Sequence, residues 1–400
     1  MEIINGGVTA PQGFFATGVA CGIKKDGKKD LAIVCSEDPA AVAGVFTTNI
    51  VKGNSLLVTM ENIKNGYASA VVINSGNANA CNGSDGYENA LEIASYAASL
   101  LDCSPQEILI GSTGVIGLPI DVDKIKTGLD EAVAEMSSDG GSEASEAIMT
   151  TDTIKKEIAV EFEIGGQKVR IGAMAKGSGM IHPNMATMIG IITTDANISR
   201  KLLDNALKKS VDKSFNRISV DGETSVCDMV IALANGLADN EPIVSESKSY
   251  NIFCDALEYV CTYLAKLIAK DGEGATKLIE IKVKGAATRE DAYKAAAAVA
   301  KSPLVKTAVF GNDANWGRII TAAGYSGAAF DPCKVDIWLG DIHVCSKGNA
   351  LEYDENQAKN AIASSEVSIL IDFNIGEYED RYWTCDFSYD YIKINASYRT

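Results

Sequence analysis

The stretch "HPNMATMIGIITTDA" (182–196) sets Thr187 behind small Ala186 and ahead of an apolar run from Met188 to Ile192. Such a run reads as a buried strand, so the Thr187 hydroxyl stands where a loop enters a core element. Just upstream, "AKGSGM" (175–180) reads as a glycine-broken loop around Lys176. An ammonium there can approach a substrate carboxylate or lower a neighbour's pKa; the plain alternative is a solvated surface lysine. A hydroxyl needs a base before it attacks anything. There is no GxSxG elbow, and no cysteine is recognisably paired with His182 or His343, the two histidines. A threonine at a chain terminus brings its own base. The α-amine, with an unperturbed pKa of about 7.7–8.0, takes the hydroxyl proton. For internal Thr187 this requires cleavage after Ala186: the hydroxyl attacks the preceding carbonyl, an N-to-O acyl shift gives an ester, and hydrolysis frees the new terminus.

Other polar motifs compete. "IGSTGVIG" (110–117) places backbone N–H groups beside the Thr113 hydroxyl, donors suited to an oxyanion. For Thr113 and Gly114 the alternative is a strand-to-loop turn. "INSGNANACNG" (73–83) and "FGNDANWGRI" (310–319) are glycine-rich as well, yet none matches GxxxxGK[ST] or a strand–GxGxxG–helix unit. "TTDT" (150–153) and "DGETS" (221–225) collect hydroxyls and carboxylates, as turns and caps do.

These residues must be positioned by a chain of 400 residues, more than one hydrophobic core usually holds, so two domains or lobes are expected. Strands and helices alternate throughout. "YASAVVINSG" (67–76) reads as a buried strand, and "GYENALEIASYAASLL" (86–101) as a helix with a stripe of Leu91, Ala94, Ala98 and Leu101. Residues 155–174 read as a hairpin turning at Gly165-Gly166, and 199–215 as a helix capped by Ser199. Further on come a helix with Leu257, Val260, Cys261, Leu264 and Leu267 on one stripe, a strand at 277–285, an alanine-rich helix at 289–302 and a hairpin at 334–348. The final "WTCDFSYDYIKINA" alternates as a strand. Mixed α and β with hairpins disfavours a simple doubly wound parallel sheet, and layers of helix around antiparallel or mixed sheets fit better.

A formal charge of −17 argues against nucleic acid and anionic membranes, leaving small metabolites as partners. Ten scattered cysteines with no CxxC spacing disfavour a zinc site, so no metal is expected, and they suit a reducing compartment. With no signal-peptide pattern and no apolar run of membrane length, the expectation is a cytoplasmic protein.

"AKGSGMIHPNMATMIGIITTDA" resembles the ornithine acetyltransferase / glutamate N-acetyltransferase (ArgJ) family. So do "GGVTAPQGFFATGVACGIK", "NSGNANACNG", "GSTGVIG", "MTTDT", "SVDGETS", "KDGEGATK", "SPLVKTAVFGNDANWGRI" and "CDFSYDYIKINASYRT", in order and over nearly the whole chain. The resemblance implies α/β architecture: a layered αββα sandwich of the DmpA/ArgJ-like type, with mixed and antiparallel sheets. It implies self-cleavage between Ala186 and Thr187, giving an alpha chain 1–186 and a beta chain 187–400 that assemble as a heterotetramer of two each. Thr187 is then the nucleophile, with Thr113 and Gly114 as the oxyanion hole. Thr150, Lys176, Thr187, Glu273, Asn395 and Thr400 match the substrate contacts, with Thr151 an open alternative to Thr150. The implied reaction carries acetyl from N-acetylornithine to glutamate without a cofactor. Part of the family also uses acetyl-CoA, and the motifs do not distinguish the two. An aminopeptidase or amidase with the same nucleophile is the nearest rival, and a non-catalytic ligand-binding protein the next.

Overall fold

The computed structural model describes residues 1–182 and 188–397. The chain forms two compact units, Met1–Asn216 with Glu223–Ile268, and Arg217–Gly222 with Ala269–Thr400. Both are mixed α/β, as the alternation of the sequence requires.

The first unit is built on one sheet. Its strand order is Glu2–Ile4, Lys156–Ile164, Gln167–Lys176, Ile189–Thr194, Met229–Ala234, Leu31–Phe46, Tyr67–Asn77, Ile108–Val115, with Phe14–Val19 paired to the first half of Leu31–Phe46. Strands 189–194 and 229–234 run parallel, as do 67–77 and 108–115; the other pairings are antiparallel. Period-two alternation sorts the side chains between two cores. Leu31, Ile33, Val72, Ile108 and Ile110 pack with the helices Gly83–Leu101 and Val122–Glu135, whereas Val34, Val71, Ile73 and Leu109 pack with Ala144 and Ala147 of the helix Gly141–Ala147. The 156–164/167–176 hairpin turns at Gly165 and Gly166, both at positive φ, which a side chain would strain.

Two expectations shift. The buried face of helix 83–101 is Ala90, Ile93, Ala94, Ala97 and Ala98, with Leu91 exposed. Small side chains let the helix lie close to the sheet, and Leu91 sits about 100° around from Ala90. Ser199 does occupy the cap of the helix Arg200–Lys213, but through its carbonyl, which accepts from Leu202 and Leu203. In the helix Lys248–Lys270, Leu257, Val260, Cys261 and Leu264 are fully buried as expected, and Leu267 only half.

The second unit carries a seven-stranded sheet ordered Asn349–Ala350, Ile342–Ser346, Asp336–Leu339, Glu366–Asp372, Leu278–Ala286, Tyr378–Cys385, Ile218–Ser219. Ile279, Ile281 and Val283 point into a core shared with Ala292, Ala295, Ala296 and Val299 of the helix Arg289–Lys301, while Glu280, Lys282 and Lys284 alternate outward. Buried Lys277 caps two helices. Its Nζ donates to the carbonyls of Val309 (2.6 Å) and Ile362 (2.7 Å), in the last turns of Pro303–Phe310 and Glu355–Ala363.

The end of the chain corrects the sequence reading. The strand stops at Cys385, and Tyr389–Ala396 is a helix. Its N-cap is Ser388, whose side chain accepts from the Asp390 amide while its hydroxyl donates to the Gly274 carbonyl (2.5 Å). Alternating Tyr and Ile residues read as a strand, but the cap and the acidic first turn set the local geometry.

Candidate active site

In the first unit the site grows from the edge strand 108–115. The Thr59 hydroxyl both donates to the Ile110 carbonyl (2.7 Å) and accepts from its amide (2.6 Å), so Ile110 turns its backbone away from strand 67–77. Alternation carries the Ser112 amide to that same side. Gly114 has φ +134°, and a Cβ there would stand 2.4 Å from the Gly76 carbonyl carbon, so no other residue fits. "GSTG" is therefore a strand end, not a free loop, and Thr113 is buried in it.

A buried amide network holds that end. Ser112 Oγ donates to Asn74 Oδ1 (2.6 Å) and accepts from Ser55 Oγ (2.7 Å), to which Asn79 Nδ2 donates in turn (3.2 Å). Asn77 Oδ1 accepts from the Asn79 amide (2.7 Å). The asparagines of "NSGNANACNG" are thus structural supports of the Thr113–Gly114 turn.

Lys176 departs from expectation. It ends strand 167–176 and is 3% exposed, neither in a loop nor at the surface. The strand's pairing with 189–194 carries it inward, where its Nζ donates to Thr113 Oγ1 (3.4 Å). Burial pulls its pKa down, against the raising effect of Asp152. Asp152 ties the neighbourhood together. Its Oδ1 accepts from Lys156 Nζ (2.7 Å) and the Gly177 amide (2.6 Å), and its Oδ2 from the Thr150 amide (3.0 Å). Burial works to raise the Asp152 carboxyl, but the Lys176 and Lys156 ammoniums hold it well below the carboxylate range. Thr150 and Thr151 are both half-buried beside it.

Residue 188, the first described after the expected nucleophile, is held by Asp228, whose Oδ1 accepts from the Met188 amide (2.8 Å). Burial drives the Asp228 carboxyl well above its ordinary range, against the pull of the Met188 amide and of Lys176. Ala186, Thr187 and Thr400 lie outside the described residues.

In the second unit, Glu273 is buried, and its Oε2 accepts from Asn395 Nδ2 (2.8 Å), presented by helix 389–396. Two positions 122 residues apart are thereby brought together. His343 stacks on Trp338 in this unit (centroids 4.3 Å apart), and His182 is half-buried in the first. Among the described residues no cluster of His, Cys, Asp and Glu could hold a metal ion, and no helix is long and apolar enough to cross a membrane.

Lys156 and Asp228 were not singled out from the sequence, and Asp152 only within "TTDT". The i,i+4 spacing of Asp152 and Lys156 was legible. An aspartate inside the apolar run Val226-Cys227-Asp228-Met229-Val230 was a further signal.

A family model described as the ArgJ family matches residues 15–400. The arginine biosynthesis bifunctional protein ArgJ of Symbiobacterium thermophilum is 54% identical, with 100% of both chains aligned. A glutamate N-acetyltransferase of Methanocaldococcus jannaschii is 48% identical, again over 100% of each. The crystal structure of arginine biosynthesis bifunctional protein ArgJ from Bacillus halodurans is 44% identical with a TM-score of 0.51, aligning 97% of its own chain with 52% of this one.

Proposed function

The chain belongs to the ArgJ family, and from that membership we propose that it carries acetyl from N-acetylornithine to glutamate through an ester on Thr187. It is an acyltransferase of arginine biosynthesis. The carrying observation is the buried contact between Lys176 Nζ and Thr113 Oγ1, which joins a cation to the donor hydroxyl of the strained Thr113–Gly114 strand end.

The chain first cleaves itself after Ala186, and Thr187 becomes the terminus of a chain 187–400. A solved relative whose chain matches about half of this one, 52%, supports separate chains. The terminal amine takes the Thr187 hydroxyl proton as the oxygen attacks the acetyl carbonyl. Negative charge on the carbonyl oxygen meets the Thr113 hydroxyl and the Gly114 amide. Such donors contribute most where charge develops in a water-poor site. Collapse breaks the amide bond, and the amine's proton leaves with ornithine. Glutamate's amine then attacks the ester, giving N-acetylglutamate and the free threonine. By likeness to the family, Thr150 (or Thr151), Lys176, Glu273, Asn395 and Thr400 are the substrate contacts. Acetyl-CoA is a second donor to the same hydroxyl, and the assembled enzyme holds two copies of each chain in the cytoplasm.

The test is the intact mass of purified protein, together with turnover of N-acetylornithine. Two masses, for 1–186 and 187–400, are expected, with an uncleaved and inactive Thr187→Ala variant. Donor consumption should require glutamate. Equal consumption without glutamate makes the enzyme an amidase, and wild-type activity in Thr187→Ala removes the nucleophile assignment.

A further inference from the structure

The motif "GGVTAPQGFFATGVACGIK" ends at Lys24, a residue without a role in the reaction above. Lys24 lies in the connection between strands 14–19 and 31–46, and fully buried Asp30 holds that connection in shape. Asp30 Oδ1 accepts from the Cys21 amide (2.7 Å) and Oδ2 from the Lys24 amide (2.8 Å). With its backbone fixed, Lys24 lays its stem on Gly76, where a Cβ would stand 3.2 Å from Lys24 Cγ. Gly76 is the same backbone against which Gly114 turns. Beyond it, Lys24 Nζ donates to the carbonyls of Lys29 and Met149, both at 2.8 Å.

The Met149 contact spans 125 residues of sequence and lands on a peptide group that is held from its other side too. The Met149 carbonyl accepts from Lys24, and the Thr150 amide of the same peptide bond donates to Asp152 Oδ2 (3.0 Å). A peptide unit is planar, so holding both polar groups fixes the plane that leads into Thr150. Asp152 also accepts from the Gly177 amide (2.6 Å), next in sequence to Lys176. Burial pulls the Lys24 pKa down, against Asp30 and Asp26, and the Lys176 charge pulls the same way, so the two ammoniums feel each other. Met149 follows the helix Gly141–Ala147, and the plain reading of Lys24 is a cation at a helix C-terminus. That reading accounts for neither the Asp152 hold on the same peptide nor the stem laid on Gly76.

We propose that Lys24 is a positioning residue of the acyl-transfer site: lying across Gly76, it grips the Met149 carbonyl and so holds Thr150 where it meets the donor. Lys24 itself touches no substrate. The inference rests on the reading of Thr150 as a substrate contact.

Lys24→Met keeps a stem on Gly76 and removes both hydrogen bonds. Its KM for N-acetylornithine is expected to rise about tenfold with kcat within about threefold of wild type, the pattern of binding lost equally from ground and transition states. In a Thr150→Ala background the same substitution should change KM less than about twofold, because residues acting through one contact are not additive. An unchanged KM in Lys24→Met, with or without a lower melting temperature, leaves Lys24 a helix cap and overturns the inference. So does a kcat loss as large as the KM rise, or a KM effect that persists in full without the Thr150 hydroxyl. A Thr150→Ala enzyme with wild-type KM overturns instead the substrate-contact reading beneath it. Should the Met chain be insoluble, Lys24→Gln, neutral and shorter, takes its place under the same outcomes.

Discussion

Asp152 and Lys176 are both buried charges, yet their removal has opposite consequences. Asp152 is hydrogen-bonded to Lys156 and to the Gly177 and Thr150 amides. Asp152→Asn takes the carboxylate away from the buried Lys156 and Lys176 ammoniums, and breaking such a pair costs about 3–5 kcal/mol, readable as a lower urea midpoint. The sign with pH follows from the depressed carboxyl. Its stabilisation is complete above the unfolded pKa of about 3.9 and is lost as pH falls through the lower folded value. The gap between wild type and variant should therefore be constant near neutrality and close in strong acid. Lys176 bears a desolvation penalty, and Asp152 keeps Lys156 at 2.7 Å without it. Lys176→Met, which keeps an apolar stem, should leave stability within about 1 kcal/mol or raise it. It should lower kcat/KM for N-acetylornithine at least tenfold. Wild-type kinetic constants would return Lys176 to a structural role.

Two short elements decide where the polar residues stand. Strand 108–115 presents Thr113 only because Gly114 takes φ +134° against the Gly76 backbone. Gly114→Ala is expected to lose transfer together with stability, seen as a depressed melting temperature. Helix 389–396 presents Asn395 to Glu273, and Ser388 both caps it and ties it to Gly274. Ser388→Ala should cost about 1 kcal/mol, the usual value of a cap. It should also raise KM for the donor more than it lowers kcat, because the helix carries the proposed substrate contact Asn395 and not the proposed nucleophile. An unchanged KM in steady-state kinetics would separate the helix from substrate binding.

At the scale of the molecule, the proposed cleavage point does not coincide with the boundary between the compact units. Strand 189–194, just after it, lies between strand 167–176 from before the cut and strand 229–234 from after it, and 229–234 is paired in turn with 31–46. Strands 189–194 and 229–234 are buried along their whole length. Cleavage removes one covalent bond and none of those ladders. Chains 1–186 and 187–400 should then migrate as one species in native mass spectrometry and separate only in denaturant. All ten cysteines are free thiols, so reductant should make no difference. Chains that part without denaturant would contradict this sheet order.

Local chemistry was legible in the sequence wherever a residue's neighbours along the chain set its surroundings. The hairpin at Gly165-Gly166, the buried strand after Met188 and the alanine-rich helix 289–301 follow from spacing alone. So did the family, because its motifs run through the whole length. What spacing could not give was depth. Lys176 looks like a loop lysine until strand pairing carries it inward, and the final strand of the sequence reading becomes a helix because Ser388 finds the Gly274 carbonyl 114 residues away. The Asp152–Lys156–Lys176 cluster and the Asp228 clamp on Met188 are products of long-range packing. A buried charge is tolerated only where the fold supplies its partner, and the tertiary structure alone brought these partners together.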